Sequence, residues 1–140
     1  MNPESLILFN LQIYLLGFIV LLGLNNTIFY KFSGWLSLII NLLGLIITSS
    51  LLQNSSSYFM LDYPWIMSGD HAISLNILVD HQTKFMLLVI QVVAFFVNLY
   101  ATKYLENDPG MNRFFAYINL FVLTMLGLVL AGNLFLFYFF

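Results

Sequence analysis

Phe114-Phe-Ala-Tyr-Ile-Asn-Leu-Phe-Val-Leu-Thr-Met-Leu-Gly-Leu-Val-Leu130 contains no charged side chain, and the chain stays uncharged from there to Phe140. A run of this length and polarity matches the roughly 20 apolar residues that cross a hydrocarbon core. It does not stand alone. Comparable runs occupy Leu6–Leu24, Trp35–Leu52 and Phe85–Tyr100, the last extensible to Thr102. A shorter one starts at Asn133, with neither a helix stop nor a flanking charge before Phe140. A helix beginning there completes only about two turns, so the reading is of the front of a larger protein. The expected fold is an all-α polytopic membrane protein with four transmembrane helices and a truncated fifth.

Composition agrees. Charged residues make up 7% of the chain, against roughly 25% in an average soluble domain. Hydrophobic residues reach 61%, with fifteen phenylalanines. Four basic side chains and a net charge of −2 leave no electrostatic footprint for nucleic acid. The absence of cysteine rules out disulfides, thiolate metal sites and cysteine-ligated iron–sulfur clusters. Glu4 precedes the first apolar run without any Lys or Arg, and no small-residue cleavage site follows, so that run reads as a retained span rather than a signal peptide.

The connections differ in kind. Asn25–Gly34 and Glu106-Asn-Asp-Pro-Gly110 are short, and Asp108 with Pro109 is expected to cap and open the fourth helix. Gln53–Lys84 is longer: Tyr58–Met67 is aromatic-rich, Ser68-Gly-Asp70 is turn chemistry, and Ile73-Ser-Leu-Asn-Ile77 alternates. This predicts a small extramembrane β-hairpin between helices 2 and 3, with Pro64 forcing an edge or a bulge. Lys31, Lys103 and Arg113 fall on one side of the membrane. Lys84, Glu4, Asp62, Asp70 and Asp80 fall on the other, which puts the N-terminus and the hairpin outside by the positive-inside rule.

Helix-spaced stripes of small and weakly polar residues mark packing faces. They are Gly34, Ser37, Asn41, Gly44 and Thr48 in the second span; Lys84, Gln91, Ala94, Asn98 and Ala101 in the third; and Thr124, Gly127 and Ala131 in the fourth. Such stripes let helices approach and hydrogen-bond in lipid. The sharper alternative has Gln91, Asn98 and Asn119 lining a water-filled path. No span interior contains Asp, Glu, Lys, Arg or His, so the segment carries no proton relay of its own. Asp80 and Lys84, four apart at the mouth of the third span, are placed to pair. Asp70-His71 and Asp80-His81 have no spacing that enforces a zinc site. Phosphate loops and activated nucleophiles are also missing from the sequence. Asn54-Ser-Ser56 is a glycosylation sequon on the outer side.

Tyr100-Ala-Thr-Lys-Tyr104, Asp108, Arg113-Phe-Phe-Ala-Tyr-Ile-Asn-Leu-Phe121, Met125-Leu126 and Leu128-Val-Leu-Ala-Gly-Asn-Leu134 together resemble one family. It is the antiporter-like chain 5, or subunit L, of respiratory complex I, NADH–quinone oxidoreductase. The large subunit of multisubunit cation/proton antiporters is related and stands as an alternative, as does a non-transporting membrane scaffold. Asp80 fits the family, although His81 replaces the small residue or proline usual after it. The resemblance divides the chain into two N-terminal helices (1–57), the family's N-terminal region (58–134) and the start of the proton-translocating domain (135–140).

The resemblance implies a much longer parent of well over a dozen helices, coupling quinone reduction to proton transport. Its proton-carrying glutamate belongs to a Trp-Glu pair just beyond Phe140, so no proton-carrying or catalytic residue is assigned in this chain. Asp80, Lys84, Asp108, Arg113 and Asn133 are carried over as supporting or membrane-boundary residues. NADH, FMN, iron–sulfur clusters and quinone are expected only in other subunits. The implied partners are other membrane-arm subunits and the lipid bilayer, and the implied location is a bacterial inner membrane ahead of a mitochondrial one.

Overall fold

The computed structural model describes residues 3–23, 30–53, 59–68, 71–106, 108 and 110–140. The sequon, Asp70 and Pro109 lie outside the described residues, as do the side chains of Lys31, Asp62 and His71. Helices α1 (Pro3–Gly23), α2 (Tyr30–Gln53), α3 (His81–Tyr104) and α4 (Met111–Leu130) are each long and apolar enough to cross a membrane, and a short α5 (Leu134–Phe139) follows. The protein is therefore a multi-pass membrane helix bundle.

The hairpin forms from β1 (Phe59–Ser68) and β2 (His71–Val79), paired antiparallel. Register runs from Phe59↔Val79 to Pro64↔Ser74 and resumes at Ile66↔Ile73. The bulge sits where Pro64 predicts it, because a proline cannot donate to the ladder. β2 is longer than the alternating core of Ile73–Ile77, since backbone pairing continues to the helix cap at Asp80.

Two boundaries differ from the sequence expectation. α3 starts four residues before the apolar run at Phe85, because Asp80 caps it: the carboxylate accepts from the Thr83 N–H at 2.6 Å. A cap, not the first apolar residue, sets a helix start. α4 opens at Met111 with Gly110 as its N-cap and no side-chain capping bond. Asp108 instead accepts from the Gly110 N–H at 2.7 Å, closing a local turn ahead of the helix.

In cross-section α1 packs on α2 and α4, α3 packs on the same two, and α2 also meets α4. The core has two parts. Near the hairpin, Ile7, Tyr14, Ile40, Leu51, Val79, Leu87, Val122, Leu126 and Leu130 cluster. At the opposite end, Leu21, Ala101, Met111, Phe115 and Ala116 do. Large apolar side chains such as Leu16, Ile39, Phe96 and Phe121 face outward, more than half exposed. Polar residues inside and bare hydrophobes outside are the arrangement that lipid favours.

Candidate functional site: a buried amide network between four helices

Ten polar or charged side chains are buried among the described residues. Most lie on stripes two helical turns apart: Asn41 and Thr48 on α2, Lys84, Gln91 and Asn98 on α3, Asn112 and Asn119 on α4. A seven-residue repeat keeps one face on its neighbours in a left-handed bundle. The polar groups consequently stack in layers.

One layer lies at mid-bundle. The Ser37 hydroxyl donates to Asn98 Oδ1 at 2.7 Å and accepts from Asn119 Nδ2 at 3.1 Å. Asn41 Nδ2 donates to the Ser37 carbonyl at 2.9 Å and reaches Asn119 Oδ1 at 3.5 Å. Tyr14 from α1 donates to Asn41 Oδ1 at 3.4 Å. The remaining amide hydrogens of Asn98 and Asn119 go to carbonyls one turn back, Ala94 and Phe115. Every oxygen and nitrogen in this layer has a partner, as burial in a low-dielectric interior demands.

The second layer is nearer the hairpin. Asn10 Nδ2 donates to Thr48 Oγ1 at 2.9 Å, and Gln91 Nε2 donates to Asn10 Oδ1 at 3.0 Å. Gln91 Oε1 is buried with no hydrogen-bond partner. The Gln91–Asn10 bond joins α3 to α1 across one diagonal of the bundle; Asn41 and Asn119 join α2 to α4 across the other.

The stripes read from the second and third spans are the buried faces of α2 and α3, with Gly34 to Thr48 and Lys84 to Ala101 all inside. The stripe in the fourth span is inside only in part: Gly127 is buried, whereas Ala131 is intermediate. Thr124 is only partly buried and donates to the Phe121 carbonyl on its own helix, while Asn119, Val122, Leu126 and Leu130 form the inner face. Asn10 and Tyr14 escaped the sequence reading. Their signal is the Ile7, Asn10, Tyr14, Gly17, Leu21 progression, a 3-4-3-4 stripe masked by the uniform hydrophobicity of α1.

The boundary residues are spread out. Asp80 and buried Lys84 stand at the hairpin end of α3, with the Asp80 carboxylate engaged by Thr83 and its backbone carbonyl by the Lys84 N–H at 3.1 Å. The hydrogen bonds from Thr83 hold the Asp80 carboxyl below the usual carboxylate range. Asp108 and Arg113 are exposed at the opposite end. Asn133 caps α5, its side chain accepting from the Leu136 N–H at 2.9 Å. The five therefore form no single cluster; they mark helix ends. Among the described residues no group of three His, Cys, Asp or Glu converges as a metal site would require.

Residues 65–115, covering the hairpin from within β1, all of α3 and the first turn of α4, match the family of the N-terminus of complex I (NADH-ubiquinone oxidoreductase) chain 5. Over this stretch the chain is similar to that family. Curated relatives extend the likeness. It is 42% identical over 76 residues to NADH-quinone oxidoreductase subunit L of Escherichia coli strain K12, covering 54% of this chain. It is 39% identical over 87 residues to the chloroplastic NAD(P)H-quinone oxidoreductase subunit 5 of Carpenteria californica, and 38% to that of Poa pratensis, each covering 62% of this chain. The chain spans only 12% of the length of these relatives.

Proposed function

We propose that this chain is the N-terminal bundle of a membrane-arm subunit in a proton-translocating NADH–quinone oxidoreductase, and that its own task is structural. The observation that carries the reading is where the family match falls. It covers the hairpin and α3, the two elements that between them position Asp80, Gln91, Asn98 and, through β2, the start of α5. Through the two amide layers α1–α4 are joined by neutral amide and hydroxyl bonds, with buried Lys84 at the hairpin end of α3, and such bonds suit a rigid frame. A relay needs ionisable groups at depth. Proton carriers then belong to helices that follow α5.

With Lys103 and Arg113 at the end opposite the hairpin, the positive-inside rule puts the hairpin and the start of α1 on the outer side. A bacterial inner membrane fits the subunit L likeness. NADH, FMN, iron–sulfur clusters and quinone would be held by other subunits, in keeping with a sequence that has no cysteine.

The test is co-purification. An affinity tag at the N-terminus of the chromosomal gene should retrieve, in mild detergent, a complex that oxidises NADH in a native gel. Retrieval of a membrane assembly with no redox subunit would sink the oxidoreductase assignment and favour the cation/proton antiporter alternative.

A further inference from the structure

We propose that the bundle core holds a buried water at Gln91, and that hydration entering from the hairpin end stops at that layer. The inference rests on the membrane-bundle geometry and not on the oxidoreductase assignment.

Gln91 is wholly buried, and its Oε1 has no partner while its Nε2 donates to Asn10. Reversing the amide does not remove the deficit. If Gln91 and Asn10 both flip, Thr48 donates to Asn10 Oδ1 and Asn10 Nδ2 donates to Gln91 Oε1, which leaves Gln91 Nε2 without an acceptor. Either way the layer is one group short. An amide oxygen needs a donor. Asn10, the partner of Gln91, also borders a void of about 10 Å³ whose other lining residues, Leu51 and Leu87 among them, are apolar and do not include Gln91. That is on the order of what one water requires, and too little for anything larger.

Water also satisfies the other groups present. A water donating to Gln91 Oε1 has a second acceptor in the free lone pair of Asn10 Oδ1. The Thr48 hydroxyl, which accepts from Asn10, keeps its own hydrogen to donate. Two to four polar partners are what a buried water normally finds.

The mid-bundle layer gives no such opening. Ser37, Asn41, Asn98 and Asn119 satisfy one another and the carbonyls of Ser37, Ala94 and Phe115. Of the three amides read from sequence as a hydrated path, only Gln91 is left to bind water, so water at Gln91 has no continuation toward Asn119. A proton that reached Gln91 from the hairpin end would go no further.

The deciding experiment is a cryo-electron microscopy map of the protein, purified from native membranes with the subunits that accompany it, at a resolution that shows ordered water. The expected result is one density peak within hydrogen-bonding distance of the Gln91 amide, and none at Asn98 or Asn119. In a Gln91→Met variant, which keeps the side-chain length, that peak should vanish. Three results overturn the proposal: a resolved Gln91 amide with no neighbouring peak, a protein group donating to it instead, or a file of waters running past Asn119. The wild-type map alone decides, so a variant that fails to assemble leaves the answer intact.

Discussion

The Gly132 N–H donates to the Asn76 carbonyl at 2.6 Å, and the neighbouring pair Ile77↔Ala131 forms an antiparallel bridge. The hairpin is thus not a free excursion. Its second strand splints the break between α4 and α5, and Asn133 caps α5 directly after. The Gly132 N–H, which lies beyond α4, thereby finds its acceptor in the second strand of the hairpin.

A Cβ at Gly132 would meet the Asn76 carbonyl oxygen at 2.8 Å. Backbone held in a ladder cannot yield as a side chain does. Gly132→Ala should therefore cost about 1–3 kcal/mol, in the range of core overpacking, and should speed hydrogen exchange at residues 134–136. Gly23→Ala, where nothing lies within 4 Å, is the control and should change little. Equal effects of the two substitutions on exchange would refute the splint.

Asp80 links pH to the start of α3. Hydrogen bonding from Thr83 lowers its folded-state pKa, so the ionised cap contributes stability that is fully present above the ordinary carboxylate range. That contribution is lost as pH falls through the lowered value. Exchange at the Thr83 amide should accelerate in acid. Asp80→Asn, which keeps an accepting oxygen, should abolish the acid step while retaining most of the protection, and Asp80→Ala should lose both.

Much of this was legible from sequence because lipid simplifies the code. Charge exclusion reveals the spans, and the periodicity of Ser37, Asn41, Gln91 and Asn98 reveals which faces turn inward. Three things resisted. Asn10 and Tyr14 hide in a helix that is apolar all round, where a stripe has no contrasting background. Asp108 and Gly110 compete for one turn, and capping preference does not tell which neighbour a carboxylate will bind. The pairing of Asn76 with Gly132 joins residues far apart in sequence through backbone atoms, which leave no side-chain trace.

Asn119 tests the mid-bundle layer. Its amide serves Ser37, Asn41 and the Phe115 carbonyl from a wholly buried position. Asn119→Leu should destabilise the bundle by about 1–2 kcal/mol, the upper part of the range for hydrogen bonds between membrane helices. Asn119→Asp should cost more, about 3 kcal/mol, because it places an ionisable group at depth. Unfolding in mixed micelles gives both values. A leucine variant as stable as the wild type would show that packing alone holds the layer.

Tyr14 and Gly44 form a pair whose coupling can be measured. A Cβ at Gly44 would meet the Tyr14 hydroxyl at 2.5 Å and ring carbons at 3.0 Å. Gly44→Ala should therefore cost about 1–3 kcal/mol through overpacking. Tyr14→Phe should cost well under about 1 kcal/mol, because the hydrogen bond it removes, to Asn41, is long at 3.4 Å. In the double variant the closest clash is gone but the ring carbons remain, so relief is partial, with a favourable coupling of about 1 kcal/mol. Additive losses in a double-mutant cycle would mean that Gly44 is required by something other than the tyrosine packed against it.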